Sequence, residues 1–188
     1  MGIGDLIFEG ECLNGKRNGK GKEYNNKGEL IFEGEYLNGM KKNGKGKEYN
    51  YYGQLIFEGE LLNGERNGKG KEYNRDGKLE YEGEYFNGTI NGNVKEYYGN
   101  GKLKFEGEYL NGERNGKVKE YYDNGKLEFE GEYLNGKRWN GKGYNQKGNI
   151  EYQITNGTGY VKEYHNNGDL KFDGEYLNGK RIRKWKIK

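Results

Sequence analysis

Phe32-Glu33-Gly34-Glu35-Tyr36-Leu37-Asn38-Gly39 recurs, nearly unchanged, along the whole sequence. Its central glycine returns as Gly10, Gly34, Gly59, Gly83, Gly107, Gly131 and Gly174. Steps of 24 or 25 residues separate the first six of these, and 43 the last two. A damaged copy fills the long gap, with Ile154 in the glycine's place. A fixed period in this range marks a repeat architecture.

One period predicts two strands. Leu30, Phe32, Gly34 and Tyr36 share one face of an extended strand, because side chains alternate, while Glu33 and Glu35 point the other way. Asn38-Gly39 opens a loop that closes at Asn43-Gly44, and Lys45 to Tyr49 form a second, shorter strand. Asn50-Tyr51-Tyr52-Gly53 turns the backbone into the next copy. Asn-Gly pairs and glycine-ended turns suit hairpins because both tolerate φ > 0. Seventeen Asn-Gly pairs and no proline therefore predict a β-hairpin meander without helices. In the second strand Gly21, Gly46 and Gly70 align with Val94, Val118 and Val161, an inward slot with little room. Tyr24, Tyr49 and Tyr73 then face outward, or a bulge returns them inward.

Stacked hairpins bring equivalent residues about 10 Å apart. Leu30, Leu55, Leu79, Leu103 and Leu127 then form one column, and Phe32, Phe57, Tyr81, Phe105 and Phe129 the next, each filling gaps beside glycines. The expected fold is all-β: an elongated single-layer antiparallel sheet of consecutive β-hairpins, roughly 80 Å long. Residues 1–188 read as a single array of about eight repeats of 24 residues.

Composition fits no ordinary core. Leu, Ile, Val and Phe number 33 of 188 residues, and mean hydropathy is −1.33. Such poverty suggests disorder. Balanced charge (33 cations, 30 anions) and 19 regularly placed tyrosines oppose it, since each aromatic can bury a large area. Cys12 occupies a tyrosine slot and reads as core filler. One cysteine and no signal peptide make the cytoplasm the expected compartment, with the membrane or cytoskeletal periphery as the alternative.

Departures from the period locate the irregular parts. Met40 and Trp139 mark single-residue insertions, and residues 139–160 form an irregular joint. Residues 180–188, Lys-Arg-Ile-Arg-Lys-Trp-Lys-Ile-Lys, carry six cations and no acid and read as a capping strand. Arg181, Arg183, Lys184, Trp185, Lys186 and Lys188 are the candidate residues for a partner or an anionic lipid.

The aromatic-x-Gly-x-Tyr-Leu-Asn-Gly phrase, followed by Asn43-Gly44-Lys45-Gly46, resembles the MORN (membrane occupation and recognition nexus) repeat. Seven good copies and one poor one carry the resemblance over essentially the whole sequence. It implies consecutive antiparallel hairpins with aromatics packed between glycines. The spacing here is one residue longer, and Glu-Tyr replaces the usual aromatic pair after Gly-x-Gly. A related bacterial antitoxin family uses similar degenerate repeats, with turns like Asn124-Gly125-Lys126-Leu127.

Chemistry is sparse. With one histidine (His165), one cysteine and no serine, neither a nucleophile–histidine pair nor a Cys/His zinc site is expected, and no cofactor is implied. His165 takes a turn slot held by Asn50 or Asn74 elsewhere. Repeated glutamates such as Glu33 and Glu35 share strands with Lys45 and Lys47, which reads as a solvated, cross-paired face. Balanced charge along the body argues against nucleic acid. The expected function is a non-catalytic repeat scaffold for protein–protein interaction, including homodimerisation through an exposed end hairpin. The alternatives are an anionic-membrane association module and the accessory repeat region of a larger enzyme.

Overall fold

The computed structural model describes residues 7–182. All its regular elements are strands, and each pairs antiparallel with a sequence neighbour. The protein divides into two compact units, Met1–Thr89 and Ile90–Lys188. The first holds β1 (Ile7–Leu13), β2 (Lys16–Tyr24), β3 (Leu30–Leu37), β4 (Met40–Tyr49), β5 (Leu55–Leu62), β6 (Glu65–Tyr73) and β7 (Leu79–Phe86). The second holds β8 (Thr89–Tyr97) from its second residue, β9 (Leu103–Leu110), β10 (Glu113–Tyr121), β11 (Leu127–Leu134), β12 (Lys137–Tyr144) and β13 (Ile150–Ile154), then β14 (Gly159–Tyr164), β15 (Leu170–Leu177) and β16 (Lys180–Ile182). The hairpin meander expected from the period is the observed fold.

The turn chemistry differs in one respect. Asn38-Gly39 is not the start of a loop but the whole of a two-residue turn, with φ of 52° and 91°. Positive φ at both positions makes a type I′ turn, whose twist matches that of the flanking strands. The second strand therefore begins at Met40 rather than Lys45. In the first repeat the slack is taken up by a bulge opposite Glu11, where Gly19 has φ 83°. The glycine-ended turns are closed by asparagine: the Asn25 side-chain oxygen accepts from the Lys27 and Glu29 amides, and Asn50 and Asn74 repeat the pattern. His165 takes this turn slot, its amide donating to the Asp169 carbonyl.

Glycines and aromatics interlock. A Cβ on Gly21 would lie 2.5 Å from the Phe8 ring and 3.1 Å from the Tyr36 ring. Gly70 bears the same relation to Phe57 and Tyr85. Both rings of each pair lie over a backbone stripped of side chains, edge to face, as for Phe32 and Tyr36 at 5.2 Å and 81°. Phe32, Phe57, Phe105 and Phe129 are at most 1 % exposed. The leucine column is not equivalent. A register shift slips Leu30 into pairing with Tyr24, and Leu30 is 37 % exposed. Cys12 also departs from expectation. It holds a tyrosine slot but is exposed, because among the described residues β1 pairs only with β2 and no further hairpin covers its inner side.

The insertions prove to be Lys42 and Trp139. Met40 pairs with Leu37 just as Lys16 pairs with Leu13, so Lys42 is the added residue. Trp139 answers a deletion: the damaged copy loses the Tyr-Leu pair, and its strands meet only at a Thr155–Thr158 bridge. The indole of Trp139 lies against Gly157, where a Cβ would come within 2.7 Å of it. Insertion and deletion thus compensate in volume. Trp139→Ala is expected to lower stability by about 2 kcal/mol, less than the 3–5 typical of a fully buried Trp because the residue is only partly buried. Urea denaturation checks this, and an unchanged midpoint would show that the indole covers nothing.

Candidate interaction surface

Alternation along the second strand decides what each face carries. Gly21 points inward, so Glu23, two residues on, does too, and Tyr24 faces outward. Glu23, Glu96, Glu120 and Glu163 are buried at 3–7 % exposure. These carboxylates are satisfied by Arg17, Arg114, Arg138 and Arg181, and by Lys41 in β4, residues near the start of second strands that also cover the phenylalanine rings. The Arg114 guanidinium sits 4.1 Å over Phe105, and Arg66 sits 4.2 Å over Phe57.

In the second unit the pairs link into a ladder. Arg114 bridges Glu96 and Glu120, at 2.6 Å each. Arg138 bridges Glu120 and Glu163, and reaches Glu128 at 2.8 Å. Arg181 closes on Glu163. Tyr109, Tyr133 and Tyr176 donate their hydroxyls to Glu96, Glu120 and Glu163 at 2.6, 2.9 and 2.8 Å. Burial alone would raise the Glu120 carboxyl, but Arg138 and Arg114 outweigh it and hold it below the ordinary range. Desolvation, then the neighbouring Glu96 hydrogen bond, push the Tyr109 phenol up. In the first unit Arg66 bridges Glu48 and Glu72, while Glu23 takes Arg17 and Lys41. Ile90 replaces the arginine of its repeat.

Sequence reasoning missed this ladder. The solvated-face reading concerned first-strand glutamates such as Glu33 and Glu35, and the second-strand glutamates were assigned no partner. Counting two residues from the inward glycine was the available signal.

The other face is solvated. Lys22 and Glu33 pair across strands at 3.2 Å, and Lys119 and Glu130 at 3.7 Å, all about half-exposed. The residue before each Asn-Gly turn shares this face. In the first unit Leu13, Leu37, Leu62 and Phe86 are 41–59 % exposed and Met40 is 72 % exposed; in the second, Leu110, Leu134 and Leu177 are 41–50 % exposed. At the opposite turns Tyr51 and Tyr52 are nearly free in solvent, their rings edge to face at 5.5 Å.

Of the cationic candidates, Arg181 is committed to Glu163 and lies over the Phe172 ring, 5.1 Å from its centre. Arg183, Lys184, Trp185, Lys186 and Lys188 lie outside the described residues. Among the described residues no group of three His, Cys, Asp or Glu could hold a metal.

The MORN repeat model matches residues 8–29 and 57–78, and the MORN repeat variant model matches residues 90–111, 114–135 and 158–178. The chain belongs to the MORN repeat family. Of the unmatched stretches, 30–56 and 136–157 contain the inserted Lys42 and Trp139, and 79–89 contains no insertion. MORN repeats are protein- and membrane-interaction repeats and generally non-catalytic. No curated protein matches the sequence. A solved structure described as "Crystal Structure of TarM" is similar at 12 % identity with a TM-score of 0.22, over 71 % of this protein. That likeness carries no argument, and the match spans only 22 % of that structure's length.

Proposed function

We propose that this MORN array is a non-catalytic scaffold that binds protein partners through its solvated face, in the cytoplasm. The observation that supports it is the division of labour between faces. The inner arginines and glutamates are consumed by one another, whereas the outer face repeats one exposed large apolar residue per hairpin beside the turn. Exposed apolar groups rimmed by charge are what protein interfaces use. Among the described residues β1 pairs on one side only, which supports homodimerisation through an end hairpin, since unpaired strand groups can join a second copy.

The basic segment 180–188 favours a second reading, association with anionic membrane, at about 1 kcal/mol per cation near the surface. Under a third, the array is the accessory region of a larger enzyme, presenting that enzyme to its partners.

Affinity capture from lysate with the intact protein and with Leu37→Asp/Leu62→Asp separates the first two readings. The scaffold reading expects specific proteins to be recovered and then lost with the double variant, whose thermal midpoint stays within a few degrees. Equal recovery by both proteins overturns it. Flotation with phosphatidylserine vesicles that depends on residues 180–188, without protein capture, favours the membrane reading instead.

A further inference from the structure

Asn-Gly is the pair most prone to spontaneous deamidation, because the glycine nitrogen meets no side-chain obstruction. That nitrogen attacks the asparagine Cγ, a new C–N bond forms as the carboxamide C–N bond breaks, and ammonia leaves. Water then opens the succinimide on either side, giving aspartate or isoaspartate. No oxidant or further reactant is needed. The rate depends on whether the fold leaves the attacking N–H and the carboxamide unengaged.

Most of the seventeen pairs are engaged. At the tip turns the glycine N–H donates to a carbonyl of the preceding hairpin: Gly39 to Arg17, Gly88 to Arg66, Gly112 to Ile90, Gly136 to Arg114, Gly157 to Trp139 and Gly179 to Gly157, at 2.7–2.9 Å. At the opposite turns Gly101, Gly125 and Gly168 donate to Tyr98, Tyr122 and His165. Inside strands the carboxamides are held: Asn18, Asn67, Asn115 and Asn140 accept from the amides of Asn38, Asn87, Asn135 and Asn156. Asn43 donates to Glu35.

Two tip turns break the rule, for different reasons. Gly15 has no preceding hairpin among the described residues to accept its N–H. At the third turn the inserted Lys42 shifts the partner by one residue, so Asn63, not Gly64, donates to the Lys42 carbonyl. Both asparagines are exposed, and no hydrogen bond from Gly15 or Gly64 N–H is formed among the described residues.

We infer that, among the tip turns, Asn14 and Asn63 are the sites of spontaneous succinimide chemistry, converting to isoaspartate ahead of the engaged ones. Each conversion adds one negative charge and a backbone methylene beside an exposed leucine, Leu13 or Leu62, on the solvated face.

The test is incubation of the intact protein at pH 8 and 37 °C, with peptide mapping by mass spectrometry over time. Asn14 and Asn63 should gain one mass unit about fivefold faster than Asn38, Asn87, Asn111 and Asn135, the scale of one net hydrogen bond. Deleting Lys42 should slow Asn63 to the rate of Asn38 and leave Asn14 unchanged. In 8 M urea the rates should converge. Equal rates in the folded protein, or an Asn63 rate unmoved by the deletion in a protein that keeps its β circular dichroism, would overturn the inference.

Discussion

Arg138→Met is expected to destabilise the second unit by about 3 kcal/mol or more, the scale for removing one partner of a buried ion pair. The guanidinium serves Glu120, Glu128 and Glu163 at once, and its side chain is only 11 % exposed. Methionine can cover the Phe129 ring but halves the cations on buried Glu120 and Glu163, which keep only Arg114 and Arg181, and leaves Glu128 without one. The penalty belongs to that uncompensated charge rather than to lost packing. Urea denaturation followed by circular dichroism measures it, and a loss below 1 kcal/mol would mean that water reaches the ladder. The pH dependence follows from the same charges. Glu120 has a folded value below its ordinary one near 4.5, so its contribution is complete above pH 4.5 and is lost as pH falls through the lower folded value. Acid stability should therefore fall less steeply in Glu120→Gln than in the unmodified protein.

The second large effect is expected from the smallest substitution. Gly34→Ala places a Cβ 2.1 Å from the Asn43 carbonyl oxygen and 2.6 Å from the Gly44 Cα. Both are backbone atoms of the paired strand, so relief requires the strands to part. Overpacking typically costs 1–3 kcal/mol, and a backbone clash belongs at about 3 or above. Gly99→Ala is the control: nothing lies within 4 Å of its Cβ position and its φ is not positive, so the change should stay within about 0.5 kcal/mol. Comparable losses for the two variants in thermal unfolding would show that close approach of the paired backbone is not what demands glycine at position 34.

Legibility varied with residue type. Phe32, Gly34 and Tyr36 were readable because aromatic and glycine recur together, and only close approach of ring and backbone demands that pairing. Glu23 was hidden because Arg17 and Lys41 come from different hairpins. Leu30 misled in the opposite sense: a bulge, invisible in the alternation, moved an apolar residue partly into solvent. Arg181, read as a candidate for a partner or lipid, also pairs with Glu163, the final rung of the ladder among the described residues, with its side chain 45 % exposed. Trp139 was legible as an insertion, but what it compensates required the position of Gly157.

Buried arginine–glutamate rungs tie one hairpin to the next across the glycine–aromatic layer, and stability depends on them. A double-mutant cycle of Arg138→Met and Glu120→Gln, read by urea denaturation, tests this most directly. The expected coupling is at least about 1.5 kcal/mol, within the range for contacting residues. Additive losses, with coupling near zero, would contradict it.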